Sequence, residues 1–175
     1  MKGLWLYWLL VTISFPISGS PAFALTGPIT SVGRAAMAGL VAGIGIGAAQ
    51  WIALRQIIPI TIGWMLASGI GLSAGLALGI AALGTRTDPV VLVLRAVLTG
   101  AMLGLCQWFL LRQHVTLAAL WVPAIAIGWA LGWTVTRAVG VDLSRGWTVF
   151  GLSGAAVFAA LSALALAWLL RYRLP

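Results

Sequence analysis

The chain has 175 residues, of which 62% are hydrophobic and 7% are charged, with 22 glycines and 10 tryptophans. This composition excludes a soluble globular domain and is typical of a polytopic membrane protein. The formal net charge of +8 would favour nucleic acid as the partner of a soluble protein, but here the cations lie one or two at a time near the ends of apolar segments. They predict contacts with phosphate headgroups, so membrane lipids are expected partners and nucleic acid is not.

Residues 1–25 form a signal-like first membrane segment. Lys2 precedes an apolar run that ends near Pro16, and Ala22-Phe23-Ala24 resembles the A-x-A site of a secretory signal. We predict that this segment is a retained first membrane helix, bent or broken near Pro16. Removal of residues 1–24 in the cell is the alternative.

Residues 34–83 are predicted to form a first helical hairpin. Its helices run from about 34 to 54 and from about 57 to 83, with Pro59 in the first turn of the second helix. At ~1.5 Å per residue, each is long enough to cross ~30 Å of hydrocarbon.

Residues 89–139 are predicted to form a second hairpin, with helices up to Leu111 and from about 116 to 139. Asp88 is expected to cap the first of these helices, because Pro89 fits the first helical position. Arg95 lies ~9 Å further along the axis and is expected to reach the headgroups; pairing inside the bundle is the alternative. A broad aromatic face on the second helix is interpreted as a ridge toward lipid, a partner or a pigment. It consists of Trp121, Trp129 and Trp133.

Residues 145–175 are predicted to form the final membrane helix and a basic tail. The helix runs from about Trp147 to Leu170, with Ser144 as its cap, and Arg171-Tyr172-Arg173 follows. Six helices place both termini on one side of the membrane, and the distribution of cations favours an N-terminus inside.

A doubled stretch organises the two hairpins. Gln50-Trp51-Ile52-Ala53-Leu54-Arg55-Gln56 recurs 57 positions later as Gln107-Trp108-Phe109-Leu110-Leu111-Arg112-Gln113. Two hairpins that run in the same direction predict parallel repeats related by a pseudo-two-fold axis along the membrane normal. The expected fold is therefore an all-α, polytopic transmembrane bundle of about six helices with two parallel-repeat hairpins.

Glycines in both copies recur at the spacing of one helix face, which is typical of close helix packing. The predicted packing residues are Gly39, Gly43, Gly47, Gly71, Gly75, Gly100, Gly104, Gly128 and Gly132.

Six polar and aromatic residues at the ends of the repeated helices have two interpretations. They are Gln50, Trp51, Arg55, Gln107, Trp108 and Arg112. The first interpretation is packing and anchoring at the headgroups, which needs no ligand. The second is a paired polar site for a lipid phosphate or for a carboxylate of a partner.

The sequence contains only weak matches to motifs of catalysis or metal binding. Gly151-Leu152-Ser153-Gly154 resembles the G-x-S-G motif of rhomboid-type intramembrane proteases, but His114 is the only histidine and lies in a turn. We therefore expect no enzyme, no catalytic residues and no metal site. His114 is kept as a candidate pigment ligand, with contact to (bacterio)chlorophyll or carotenoid as the corresponding cofactor prediction; the sequence requires no cofactor.

The doubled motif resembles a group of uncharacterised bacterial multi-pass membrane proteins, notably of cyanobacteria and Chloroflexota-like lineages. Their repeat is G-x-x-x-G-x-x-Q-W-x-x-L-R followed by W and G-x-x-x-G. The matching residues are Gly43, Gly47, Gln50, Trp51, Leu54, Arg55, Trp64, Gly71 and Gly75, then Gly100, Gly104, Gln107, Trp108, Leu111, Arg112, Trp121, Gly128 and Gly132. The resemblance covers about residues 39–137 and implies no activity, although phototrophic lineages favour a photosynthetic or bioenergetic complex.

These observations predict a non-enzymatic accessory or assembly subunit of a larger membrane complex, photosynthetic or respiratory. It would pack through Gly-rich helix faces and Trp-rich surfaces against other membrane protein subunits. The expected location is the bacterial inner membrane or an internal photosynthetic membrane. The alternatives are a small transporter or channel for a neutral solute and a pigment-binding membrane protein.

Overall fold

The structure is a computed structural model that describes residues 2–174. The described residues form six α-helices and no strands: α1 (Lys2–Thr26), α2 (Val32–Leu54), α3 (Gly63–Leu83), α4 (Pro89–Leu111), α5 (Trp121–Ala138) and α6 (Leu152–Leu169). Five spans in the described residues are long and apolar enough to cross a membrane: Val32–Leu54, Gly63–Leu83, Pro89–Leu111, Ala118–Ala138 and Leu152–Tyr172. The predicted fold class, an all-α membrane helix bundle, is confirmed.

The helices form a closed ring. Each packs against its neighbours in the sequence, and α6 packs against α1. Gly39 faces Leu72 and Gly47 faces Met65, so α2 and α3 are antiparallel, and the other sequential pairs alternate in the same way. Turns 55–62 and 112–120 and residues 170–174 therefore lie at one end of the bundle, called the glutamine end. Loops 27–31, 84–88 and 139–151 form the opposite end.

The predicted start of α4 is correct, whereas the predicted starts of α3 and α5 are wrong. α5 begins at Trp121 rather than at about 116. Asp88 caps α4, because its Oδ1 accepts a hydrogen bond from the N–H of Val91 at 3.1 Å. α3 begins at Gly63 rather than at 57. Pro59 lies in the turn before it and disfavours helical backbone at Ile58. α1 is helical through Pro16 and Pro21, so it is not broken there.

The predicted start of α6 is wrong as well. Ser144 lies in a short 3-10 turn, where its hydroxyl donates to Asp142, and does not cap α6. Gly146 has a φ of 69°, a left-handed conformation that ends this turn, and α6 begins only at Leu152.

Large aromatic side chains fill the interior of the ring. The largest buried ones are Trp8, Trp64, Trp121, Trp129, Phe15, Phe150 and Phe158. Phe15 and Phe150 stack with ring centroids 4.6 Å apart, and Trp129 meets Phe158 edge to face at 5.4 Å. These contacts join α1, α5 and α6 with the segment before α6.

The prediction of an outward aromatic ridge on α5 is wrong. Trp121 and Trp129 are fully buried, and Trp133 is 8% exposed. Their rings face the interior because a ring of six helices leaves a central volume that small side chains cannot fill. The prediction that the chain meets partners through Trp-rich surfaces therefore does not hold for α5.

Seven of the nine predicted glycines lie where neighbouring helices approach closely, whereas Gly128 and Gly132 face the rings of Phe158 and Phe150. An added Cβ would be 2.6 Å from Ser68 O at Gly43, 2.7 Å from Thr99 Cα at Gly75 and 2.7 Å from Ala126 Cα at Gly100. Because these neighbours are backbone atoms, they cannot move aside as a flexible side chain can. The glycine faces are therefore occupied inside the bundle, between α2 and α3, α3 and α4, and α4 and α5.

Candidate functional site

Gln50 and Gln107 meet inside the ring. Both side chains are fully buried, one near the end of α2 and the other near the end of α4. Nε2 of Gln107 donates to Oε1 of Gln50 at 2.8 Å. The doubled glutamines are thus joined directly across the bundle, where both side chains are shielded from bulk solvent.

Two tryptophans bind the glutamines from the following helices. Trp64 Nε1 donates to Gln50 Oε1 at 3.0 Å, and Trp121 Nε1 donates to Gln107 Oε1 at 2.9 Å. The two indole rings lie with centroids 6.3 Å apart. The same indole-to-amide hydrogen bond therefore occurs at both sets of positions related by 57 residues.

The network is asymmetric at one position. Ser68 Oγ accepts from Gln107 Nε2 at 2.9 Å and donates to the carbonyl oxygen of Trp64 at 2.8 Å. The equivalent residue in the second copy is Ile125, which has no hydroxyl. Gln107 thus uses its amide nitrogen twice, whereas Nε2 of Gln50 has no hydrogen-bond partner among the described residues.

A third indole hydrogen bond joins the two ends of the chain. Trp8 Nε1 on α1 donates to Ser162 Oγ on α6 at 3.0 Å. A tryptophan N–H bound to a polar oxygen thus connects the two helices in each of three pairs: α2 and α3, α4 and α5, and α6 and α1. Sequence reasoning missed this pair because Trp8 and Ser162 lie at opposite ends of the chain and share no motif with the repeat.

Arg55 and Arg112 do not join the glutamines. The guanidinium carbon of Arg55 lies 4.6 Å from the ring centroid of Trp51, and that of Arg112 lies 5.1 Å from the ring centroid of Trp108. Both arginines are exposed. The prediction that all six residues form a single polar site is therefore wrong. Each arginine lies five residues after its glutamine, and residues at that spacing on a helix point ~140° away from each other.

A small effect is expected from replacing Arg112 by glutamine. The side chain is exposed and its stacking on Trp108 is worth about 0.5–1 kcal/mol, so the free energy of unfolding should fall by no more than that. Titration with sodium dodecyl sulfate in mixed micelles measures it. A loss as large as that caused by removing Gln107 would contradict the separation of the two groups.

His114 lies in the turn between α4 and α5. Its N–H donates to Leu111 O at 3.0 Å, and its carbonyl oxygen accepts from the N–H of Leu174 at 3.0 Å. The turn therefore holds the C-terminal segment at the glutamine end. No group of three or more potential metal ligands occurs among the described residues, and binding of a pigment by the half-buried His114 stays a prediction.

The residues of the protease-like motif are far apart. Ser153 lies in the first turn of α6, while His114 lies beside residues 172–174, which follow the end of that helix. The length of α6 separates the two, so His114 is not placed to accept a proton from Ser153.

The fold and the buried network define an integral membrane protein, a multi-pass ring of helices clamped by indole hydrogen bonds. Comparison of the chain with protein families, with curated proteins and with solved structures found no match.

Proposed function

We propose that the protein is a non-enzymatic accessory or assembly subunit of a larger membrane complex, in the inner membrane of a bacterium or in an internal photosynthetic membrane. The observation that carries the proposal is the set of three indole clamps, Trp64 to Gln50, Trp121 to Gln107 and Trp8 to Ser162. Each joins the two helices of one pair, the hydrogen bonds of Gln107 to Gln50 and Ser68 join two of the pairs, and helix packing closes the ring. A closed body of this kind is what a scaffold requires.

The outer surface supports the same proposal. Each helix has large aliphatic or aromatic side chains on its outer face, including Ile70 at 57% exposed, Phe109 at 51% and Ile127 at 58%. Because the glycine faces are used inside the bundle, partner contacts would be made by these bulky side chains. The expected partners are apolar transmembrane helices, which pack by van der Waals contact.

Transport of a neutral solute has less support. A path along the ring axis would pass through the volume that Trp64, Trp121 and Trp129 occupy. Opening it would separate buried indole N–H groups from their acceptors, at about 1–3 kcal/mol for each group.

Purification from the native membrane in a mild detergent tests the proposed function. We expect stoichiometric partner subunits by mass spectrometry, and an absorption spectrum of the same sample shows whether pigment accompanies them. A photoreactive amino acid at Ile70, Phe109, Ile127 or Leu164, all more than half exposed, should crosslink to the partner from at least one helix. The same residue at buried Leu72 is the control. A lone monomer that crosslinks only to lipid would overturn the proposal.

A further inference from the structure

A cavity of about 290 Å³ lies at the end of the bundle opposite the glutamine network. Its walls come from α3, α4, α5 and the three loops at that end, and its floor is apolar. The floor residues are Leu76, Leu92, Ala96 and Trp133, with Thr99 beside them, whose hydroxyl donates to the carbonyl oxygen of Arg95 at 2.8 Å. The rim carries the hydroxyls of Thr30, Thr85, Thr87 and Ser144. The cavity therefore has one polar, partly open side and one apolar, buried side.

Arg95 forms part of the cavity wall, and the fold provides space for it. A Cβ at Gly79 would lie 2.6 Å from Cγ of Arg95, so the aliphatic part of the arginine occupies the place of a side chain on α3. Nη1 donates to the carbonyl oxygen of Gly84 at 2.8 Å. This uses one of the five N–H donors of the guanidinium. The guanidinium is thus fixed at the cavity, and its other N–H groups can donate hydrogen bonds to a ligand.

Further arginines surround the same opening. Arg86 lines the cavity. Nη1 of Arg34 lies 3.4 Å from Thr30 Oγ1, and Nη1 of Arg137 donates to the carbonyl oxygen of Thr87 at 2.6 Å. Thr30 and Thr87 both line the cavity. Four arginines therefore contact the cavity or its lining residues.

The acidic residues neutralise only part of this charge. The chain has two, Asp88 and Asp142, and they pair with Arg86 at 3.1 Å and with Arg145 at 3.4 Å. Hydrogen bonds from the Ser144 side chain and backbone hold the pKa of Asp142 below its usual value, which keeps it ionised. In the described part of the chain, Arg34, Arg95 and Arg137 bond to neutral oxygens, so the opening keeps an excess of positive charge.

We propose that this cavity binds a phosphate group attached to an apolar moiety, with Arg95 as the principal phosphate ligand. A phosphate suits donors that converge from several elements, because its oxygens accept charge-assisted hydrogen bonds in several directions. The apolar floor takes the adjoining part of the molecule. The phosphate comes from a membrane phospholipid or from a soluble phosphate ester. This inference is independent of the proposed accessory role.

Paired ligands test the proposal on the purified full chain after removal of bound lipid. Phosphatidic acid and diacylglycerol with the same acyl chains differ only in the phosphate, and native mass spectrometry reports how many bind. We expect one phosphatidic acid per chain and no comparable binding of diacylglycerol. If phenyl phosphate, a soluble ester with an apolar group, binds as tightly as phosphatidic acid with the same dependence on Arg95, the source is a soluble ester and the phosphate site is supported.

The matched variants are Arg95→Gln at the cavity and Arg171→Gln at the glutamine end, which remove equal charge. Arg95→Gln should weaken binding of phosphatidic acid about tenfold or more, and Arg171→Gln should leave it unchanged. If Arg95→Gln does not fold, the same binding measurement is made on Arg86→Gln. Its side chain is 75% exposed, and its loss should weaken binding roughly fivefold. Equal binding to the cavity variants and to the unaltered chain, or equal binding of diacylglycerol, would overturn the proposal.

Discussion

Replacing Gln107 by leucine is expected to lower the free energy of unfolding by about 2 kcal/mol. The substitution removes the hydrogen bonds from Nε2 to Gln50 and Ser68 and leaves Trp121 Nε1 without its acceptor. A buried indole N–H that loses its partner in the membrane interior cannot turn to water. Titration with sodium dodecyl sulfate in mixed micelles, followed by circular dichroism, measures the change.

A double substitution separates the hydrogen bond from the volume of the side chains. Trp121→Phe leaves Gln107 Oε1 without a donor, whereas Gln107→Leu with Trp121→Phe removes both partners. The double variant should be destabilised by about 1 kcal/mol less than the sum of the single variants. Strict additivity would show that the network contributes through packing alone.

Replacing Gly100 by alanine is expected to destabilise the bundle by about 2 kcal/mol. The new Cβ would lie 2.7 Å from Ala126 Cα and 2.7 Å from Ile125 O. These are backbone atoms of α5, so α4 and α5 must move apart and lose contacts along their length. The variant should show a lower free energy of unfolding and less folded protein in the membrane.

Gly33 provides the matched control for this substitution. It lies in the first turn of α2, and an added Cβ would meet no atom within 4 Å. Alanine there should be neutral or stabilising by up to about 1 kcal/mol, because alanine loses less backbone entropy in a helix. If both alanines had the same effect, helix propensity rather than the close approach would govern Gly100.

Both predictions concern the same structural unit. Gly104 lies one turn before the level of Gln107 on α4, and an added Cβ there would be 3.0 Å from Val122 Cα. The close approach of α4 to α5 places Trp121 within hydrogen-bond distance of Gln107. Close packing and polar pairing therefore support each other, and loss of the first should weaken the second.

The chemical character of the site residues was only partly predictable. The recurrence of Gln50 and Gln107 indicated a paired polar site, and the structure joins the two amides. Trp64 and Trp121 were recognised as repeated residues but not as hydrogen-bond partners. Ser68, which accepts from Gln107, breaks the repeat, so no comparison of the two copies could select it.

Arg95 shows a different limit of prediction. Its distance from Pro89 along α4 predicted that the side chain reaches the headgroups, and in the structure its guanidinium donates to the carbonyl oxygen of Gly84 at that end of the bundle. Its contact with Gly79 and the cavity beside it depend on the packing of α3 against α4. A pattern within one helix carries no information about the surface that a neighbouring helix offers.

The sequence by itself determined that the chain forms apolar helices, because a backbone in the hydrocarbon region must satisfy its hydrogen bonds within each segment. It also determined where the repeated glutamines and glycines lie along those helices. Only the tertiary structure decided which face of each helix points inward, that α6 closes the ring on α1, and that the aromatic residues of α5 are buried. The reason is that the interior of the bundle and the surrounding lipid are both apolar, so hydrophobicity alone does not distinguish an inward face from an outward one.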